Sequence, residues 1–586
     1  MSRRSHTADA AARRANARGN ARANARINAN TQVSARASAR ATSKASTKAA
    51  NKVTSLAGLR TRHILLLLAA IAIGLLAFVQ MSLRVTGTVP RQYWLPLGID
   101  IALLVVLEAV IQVRHVYASS TIIPAMSLLA LIGITEITRI DYSQRTMGYS
   151  SNSGQRQMMW LAVATAVSIV VLFFLRDYRV LRRISYVCMA IGLVLLLAPE
   201  LPVVGREING ARIWIHFGPF SLQPAEFAKL FLAVFFATYL FDRSDQLAVG
   251  GKKVLGVRWP RVRDLGPIAV VWVVSLGILV LQHDLGTSLM FFAMFVGMLF
   301  VATRRKSWLV IGFVAFMAGV VVAARVFSNF ANRVNIWLHP FDPALYQRQY
   351  GGTYQVVQGL FGLASGGILG TGLGTGHPAI TPFANSDFIY TSLGEELGLL
   401  GLLLILVLYL VIIAGGFTAG MAQSDGFGKL LAAGLAFSMA FQVFTVVGGI
   451  TLVIPLTGLT LPYLAAGGSS LMANILLASL LVAISSHANT PRDSQIYDPD
   501  TMLAQKLQEQ LAARAAREER AAREHQPAVS AAPATPAASP AGSAASSAAT
   551  HGANANSPHA ASEAAAGGAP AAGAQRTDNL GEEEKA

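Results

Sequence analysis

The chain has one cysteine and little charge. Among 586 residues only Cys188 carries a thiol, so no intrachain disulfide and no cysteine-based zinc or iron–sulfur site can be assembled. A secreted disulfide scaffold is thereby excluded. Charged residues make up 13% of the chain, where a soluble domain carries about twice that share. With 53% hydrophobic residues and a mean hydropathy of +0.48, the composition is that of a membrane protein. Acids are scarcer than bases, 30 against 48, for a net charge of +18. That excess does not call for nucleic acid, because 14 of the cations lie in residues 1–62 beside a single acid, Asp9. Residues 487–586 are acidic, with 8 cations and 12 acids, which leaves +9 for everything between.

Residues 1–62 have almost no large apolar side chains and are expected to be a disordered basic tail, since they cannot bury enough surface to offset the entropy of ordering. Twelve apolar runs of spanning length follow, near 63–82, 94–113, 121–138, 158–175, 184–199, 224–241, 266–282, 286–302, 308–326, 394–414, 428–449 and 463–486. Cytoplasmic loops are enriched in Lys and Arg. Placing the N-terminal tail inside puts the cation-dense segments 176–183, 242–265 and 303–307 inside as well, and leaves the cation-free segments 283–285 and 450–462 outside. Both termini are then cytoplasmic, and a long loop, 327–393, is extracytoplasmic. After the last span, 501–526 has the pattern of a short mixed-charge helix, and 527–586 is Ala/Pro/Ser-rich low-complexity sequence expected to be disordered.

A loop of this length is usually functional. Within it, 351–362 reads as a short helix with Tyr354 and Gln358 four residues apart on one face. A glycine string, Ser365 to Gly376, follows. It lacks the preceding strand of a dinucleotide fingerprint, so close backbone packing of a re-entrant loop is the better reading. Asp387 precedes the next span at the membrane boundary. It is either a helix cap or a carboxylate with a raised pKa suited to proton abstraction, and composition alone does not separate the two. Glu395 and Glu396 read as structural. Glu226 and Lys229, at i and i+3 after Gln223-Pro224, are expected to form an ion pair, in a helix-stabilising role or in a polar substrate pocket. His283 and Asp284 are adjacent but lack the third ligand a metal site needs.

Taken in order, Asn209-Gly210-Ala211-Arg212-Ile213-Trp214, Gln223 to Lys229, Asp284 to Thr287, Tyr354 to Gln358, Ser386-Asp387-Phe388-Ile389 through Gly398, and Pro462 to Ser470 resemble the motifs of the SEDS family (shape, elongation, division, sporulation) over about residues 120–486. The resemblance implies an all-α polytopic membrane protein with a core of about ten helices, so the runs at 63–82 and 94–113 would be an N-terminal addition. It implies a peptidoglycan glycosyltransferase that polymerises lipid II at the outer face of the cytoplasmic membrane, working with a class B penicillin-binding protein. The family's essential loop acid falls on Asp387, and its polar pair on Glu226 and Lys229. Thr457 stands where division-type members carry Lys, closer to the RodA (elongation) type. Phe383 and Ala466 replace a Glu and an aromatic residue of the family pattern.

Under this reading Asp387 is the general base on the acceptor hydroxyl. Arg212, Lys229, Arg333 and Arg348 are candidates to hold the leaving pyrophosphate, with or without a divalent cation, and Glu226 and Gln358 complete the substrate-binding set. A lipid II flippase and a non-catalytic scaffold for a transpeptidase are the competing readings.

Overall fold

The computed structural model describes residues 57–490 apart from 203, 209–210, 218–219, 245–252, 255–256, 259–261 and 349–350. The expectations for the N-terminal tail up to residue 56 and for the C-terminal tail after Thr490 therefore lie outside the described residues. Residues 57–62, assigned above to the tail, are the first turns of the first helix.

All twelve apolar runs are helical. Among the described residues ten helices are long and apolar enough to cross a membrane: α1 (Ala57–Thr86), α2 (Arg91–Arg114), α3 (Ile122–Thr146), α4 (Ser153–Phe174), α6 (Pro224–Asp242), α8 (Leu285–Thr303), α9 (Ser307–Val326), α12 (Ile389–Ala422), α13 (Gly426–Ile450) and α14 (Gly468–Asn489). The other two runs are α5 (Ser185–Leu197) and α7 (Val262–Leu281). At 13 residues, α5 is about 20 Å long, and the 3-10 turn Ala198–Glu200, containing Pro199, continues it towards the far side of a hydrocarbon core of about 30 Å.

Two short antiparallel sheets depart from an all-α reading, the smaller pairing Lys253–Val254 with Val257–Arg258 between α6 and α7. Between α5 and α6 the chain forms an antiparallel sheet of β1 (Gly205–Ile208), β2 (Ala211–Phe217) and β3 (Phe220–Leu222), in that spatial order. β2 alternates Arg212, Trp214 and His216 with Ile213 and Ile215, the period of a strand with one apolar face. Within so apolar a chain, five alternating residues carry little weight against the neighbouring spans.

The bundle has a buried centre and a lipid-facing rim. In α3 and α6, 89% and 83% of the apolar window is buried, against 33% in each of α1 and α2. The two N-terminal helices are thus applied to the outside, α1 against α3 through Gly74 and Leu131, and α2 against α4. α10 (Ser328–Leu338) and α11 (Tyr354–Gly366) lie in the long loop, and α11 packs along α12.

α12 is broken. Its 34 residues are interrupted at Gly398, with φ 67° and ψ −174°, a conformation open to glycine at little cost. A break inside a membrane must have its backbone groups satisfied by protein. Here the glycine string supplies them: Leu399 and Leu400 N–H donate to the carbonyls of Gly367 and Ile368, at 2.9 and 3.1 Å, and Thr371 and Gly372 N–H donate to those of Glu395 and Glu396, both at 2.9 Å. A Cβ on Gly370 would lie 2.2 Å from the Glu396 carbonyl oxygen. The glycines therefore serve close backbone packing, as the sequence indicated.

Candidate active site

Asp387 sits on a tight turn at the foot of α12. The turn is held by Phe383, whose carbonyl accepts from Ser386 and Phe388 N–H at 3.0 and 3.2 Å and whose φ is +55°. Helix α12 begins after Phe388 and has no side-chain cap. The capping role open to Asp387 in the sequence is thus not the one it plays. Its half-buried carboxyl is pushed up to about 6 by desolvation, and Arg333 opposes that rise.

Arg333 comes from α10 and donates through Nη1 to the carbonyls of Leu456 and Thr457, at 3.1 and 2.8 Å. Burial lowers its pKa, and Asp387 and then Asp284 restore it. Asp284 caps α8, accepting from Thr287 N–H at 3.0 Å through Oδ1, while Oδ2 is buried without a hydrogen-bond partner. Burial raises its pKa; the bonds from Thr287 oppose this, Glu226 adds to it and Arg333 reduces it. One guanidinium therefore acts on two carboxyls through its charge, while its hydrogen bonds go to backbone carbonyls. Cβ space at Gly286 explains how α8 comes so near, because a Cβ there would meet the Thr457 carbonyl oxygen at 2.6 Å.

Through Glu226 this acidic pair adjoins a second cluster, inside the bundle. Lys229 Nζ donates to Glu226 Oε2 at 2.6 Å, to Gln442 Oε1 at 3.0 Å and to Asn474 Oδ1 at 3.2 Å. An ammonium has three donors, and all three are used. The ion pair expected at i and i+3 is present, and Gln442 and Asn474 complete it. Neither amide was singled out from sequence. The available signal was an isolated carboxamide within an apolar span, which is costly to bury unless it is hydrogen-bonded.

The remaining candidates are placed elsewhere. Gln358 donates to the Tyr346 hydroxyl at 3.0 Å, and its neighbour Gln355, not singled out from sequence, reaches the Pro382 carbonyl at 3.2 Å, tying α11 to the Asp387 turn. Arg348 is exposed and reaches Asn332 at 3.5 Å. Arg212 is exposed on β2. The structure thus gathers Asp387, Arg333, Asp284, Glu226 and Lys229 into one chain of interacting groups. Among the described residues no group of three or more His, Cys, Asp or Glu side chains is placed to hold a metal. A divalent cation at this site would draw most of its ligands from the substrate.

Strained backbone gathers around the same groups. Of the five non-glycine residues with positive φ among the described residues, four are His283, Phe383, Leu452 and Tyr463, in the loops at this end of the bundle. Such conformations persist where surrounding structure over-determines them.

A family model described as "Cell cycle protein", that of FtsW, RodA and SpoVE, matches residues 119–490. The chain belongs to this family. The FtsW/RodA/SpoVE match begins after α2, so both applied helices precede it. Peptidoglycan glycosyltransferase RodA of Mycobacterium tuberculosis is 45% identical over 378 residues, covering 64% of this chain and 79% of that protein. Stage V sporulation protein E of Bacillus subtilis is 32% identical over 342 residues, covering 57% and 87%. A solved chain from "Structural coordination of polymerization and crosslinking by a peptidoglycan synthase complex" aligns with a TM-score of 0.51 and 25% identity over 64% of this chain and 99% of its own. The higher identity to RodA agrees with the elongation-type character of Thr457.

Three departures from the FtsW/RodA/SpoVE pattern fall on residues that act here through their backbone. Thr457 offers its carbonyl to Arg333, Phe383 its carbonyl to the Asp387 turn, and Ala466 its N–H to the Asn385 carbonyl at 2.8 Å. Side-chain replacement at these positions leaves the contacts in place.

Proposed function

We propose that this protein polymerises lipid II, with Asp387 as the general base. The observation that carries the proposal is a half-buried carboxyl on a tight turn, free of a capping role and pushed up to about 6 by desolvation against the opposing charge of the half-buried Arg333. A base near the working pH combines a large ionised fraction with a useful driving force for proton transfer.

Asp387 takes the proton from the C4 hydroxyl of the acceptor sugar. The oxygen forms a bond to C1 of the donor, the C1–O bond to pyrophosphate breaks, and undecaprenyl pyrophosphate leaves with the electron pair. A single displacement turns an α-linked donor into a β-linked product. Arg333 stabilises charge developing on the leaving group, as a preorganised cation in a water-poor site does. Lys229 can meet pyrophosphate only by giving up one of its three partners. Its contribution is therefore to hold Glu226, Gln442 and Asn474 in place as a polar floor, and any direct contact with substrate costs a bond already made. Arg212 and Arg348, exposed, and Gln358, bonded to Tyr346, are assigned to the substrate's approach.

The loop carrying Asp387 faces the cell exterior and both termini face the cytoplasm, as the cation-dense loops indicate. A class B penicillin-binding protein is the proposed partner. The aligned solved chain comes from a complex described as coordinating polymerization and crosslinking, which supports that assignment. The test is to supply lipid II to purified protein in detergent, with and without the partner. Glycan chains from the wild type and none from Asp387→Asn are expected. No glycan from the wild type in either condition would sink the proposal in favour of a flippase, because detergent leaves nothing to be crossed.

A further inference from the structure

Glu396 and Arg139 lie far apart in sequence and meet in the bundle. Arg139 Nε, on α3, donates to Glu396 Oε1 at 3.0 Å with both side chains buried, and Arg139 Nη2 donates to the Gly376 carbonyl. Glu396 in turn accepts from Gly374 N–H at 2.8 Å through Oε2 and from Gly376 N–H at 3.3 Å through Oε1. Gly376 and Glu396 are 20 residues apart, and Asp387 lies midway between them. The segment from Gly376 to Glu396 is thus a closed loop, sewn at its base by Arg139 and carrying the reactive carboxyl near its tip.

Both arms of that loop are stiff. One is the first turns of α12, from Ile389 to Glu395. The other runs through the 3-10 turn Pro378–Ile380, which packs on α3, and the Pro382 carbonyl bonded to Gln355. A displacement at the base would be passed to Asp387 through either arm, because neither contains slack to absorb it. Arg139 is also short of alternatives, since Glu136, one turn earlier on α3, is buried with both carboxylate oxygens lacking a hydrogen-bond partner. One cation balances the base of the loop.

We infer that Arg139 is a positioning residue for Asp387, acting from the far end of a closed loop through Glu396 and the Gly376 backbone. This rests on the functional reading above for its catalytic consequence, but the structural claim stands independently. A guanidinium suits the role because its rigid fork can hold a carboxylate and a carbonyl at once.

Arg139→Met alone leaves Glu396 and Glu136 buried without a cation and is expected to impair folding. The informative variant is Arg139→Gln with Glu396→Gln in a Glu136→Gln background, which leaves no uncompensated buried charge at the base of the loop. Cys188 is the only native thiol and is buried, and Ala384, on the loop, is 1% exposed. Ala384→Cys therefore gives a clean reporter for maleimide labelling. In protein of wild-type thermal stability, labelling of Ala384→Cys is expected to become at least about tenfold faster when the pair is removed. In the lipid II assay kcat is expected to fall about tenfold or more with KM within about twofold, as misplacement of a reacting group by about 1 Å does. An unchanged labelling rate overturns the inference, and so does an unchanged kcat or a loss of kcat and KM together that follows the melting temperature. Wild-type protein that makes no glycan would count against the functional reading, while the labelling result still decides the placement of the loop.

Discussion

Two charged clusters of this protein, one joined to the other through Asp284 and Glu226, are built on opposite principles. In the inner cluster every donor of Lys229 has an acceptor, and its partners come from α6, α13 and α14. In the outer cluster Arg333 serves two carboxyls, Asp284 leaves one oxygen unpaired, and Asp387 is raised to about 6. A satisfied cluster rigidifies the bundle. An unsatisfied one is available for chemistry, and the strained loops around it add to its cost.

This contrast predicts different failures. The largest effect belongs to the outer cluster: Asp387→Asn should lower kcat by about 10²–10⁴, the worth of a positioned base, without lowering the melting temperature. The sign of its stability effect is opposite to that of a paired carboxylate. Because the folded pKa of about 6 lies above the ordinary carboxyl value of 3.8, the folded state binds the proton more tightly, and Asp387 makes folding less favourable as pH rises from about 4 through 6. Asp387→Asn is therefore expected to raise the melting temperature at pH 7.5, as differential scanning would show. A lowered melting temperature would mean the site is held together by the ionised carboxylate.

For the inner cluster the order reverses, with stability lost before chemistry. Lys229→Met leaves Glu226 buried and uncompensated, which should cost about 3–5 kcal/mol; adding Glu226→Gln should recover most of it in a thermal melt. Full activity in Lys229→Met at unchanged stability would erase the distinction between the clusters. Arg333→Gln is expected to act more mildly. Removing the cation that holds Asp387 down should move the acid limb of the kcat/KM profile to higher pH, and a limb that stays in place would show that Arg333 does not reach the base. The smallest effect is expected for Arg348→Gln, within about twofold in the polymerisation assay, since an exposed cation in high dielectric contributes little. A large loss there would extend the site onto the exposed face of the loop.

The membrane plan was legible because each span is a continuous apolar run whose hydrogen bonds close within itself. The sheet at 205–222 was hidden for the converse reason, since its pairing depends on neighbours beyond any local window. At Asp387 the local sequence suited a cap as well as a base, and the start of α12 after Phe388 removed the capping alternative. Arg348 and Arg333 share a loop and a residue type, and only burial separates them. The Glu226 and Lys229 pair followed from helical spacing, while Gln442 and Asn474 lie more than two hundred residues away.

By itself, then, the sequence determined the class of protein, the positions of its helices and its family, because hydropathy and short motifs are local properties. The tertiary structure alone decided which cations meet that acid, that Lys229 is already saturated, and that Arg139 closes the loop from 257 residues away. Those are matters of three-dimensional proximity and desolvation, which emerge only when distant segments exclude water from one another.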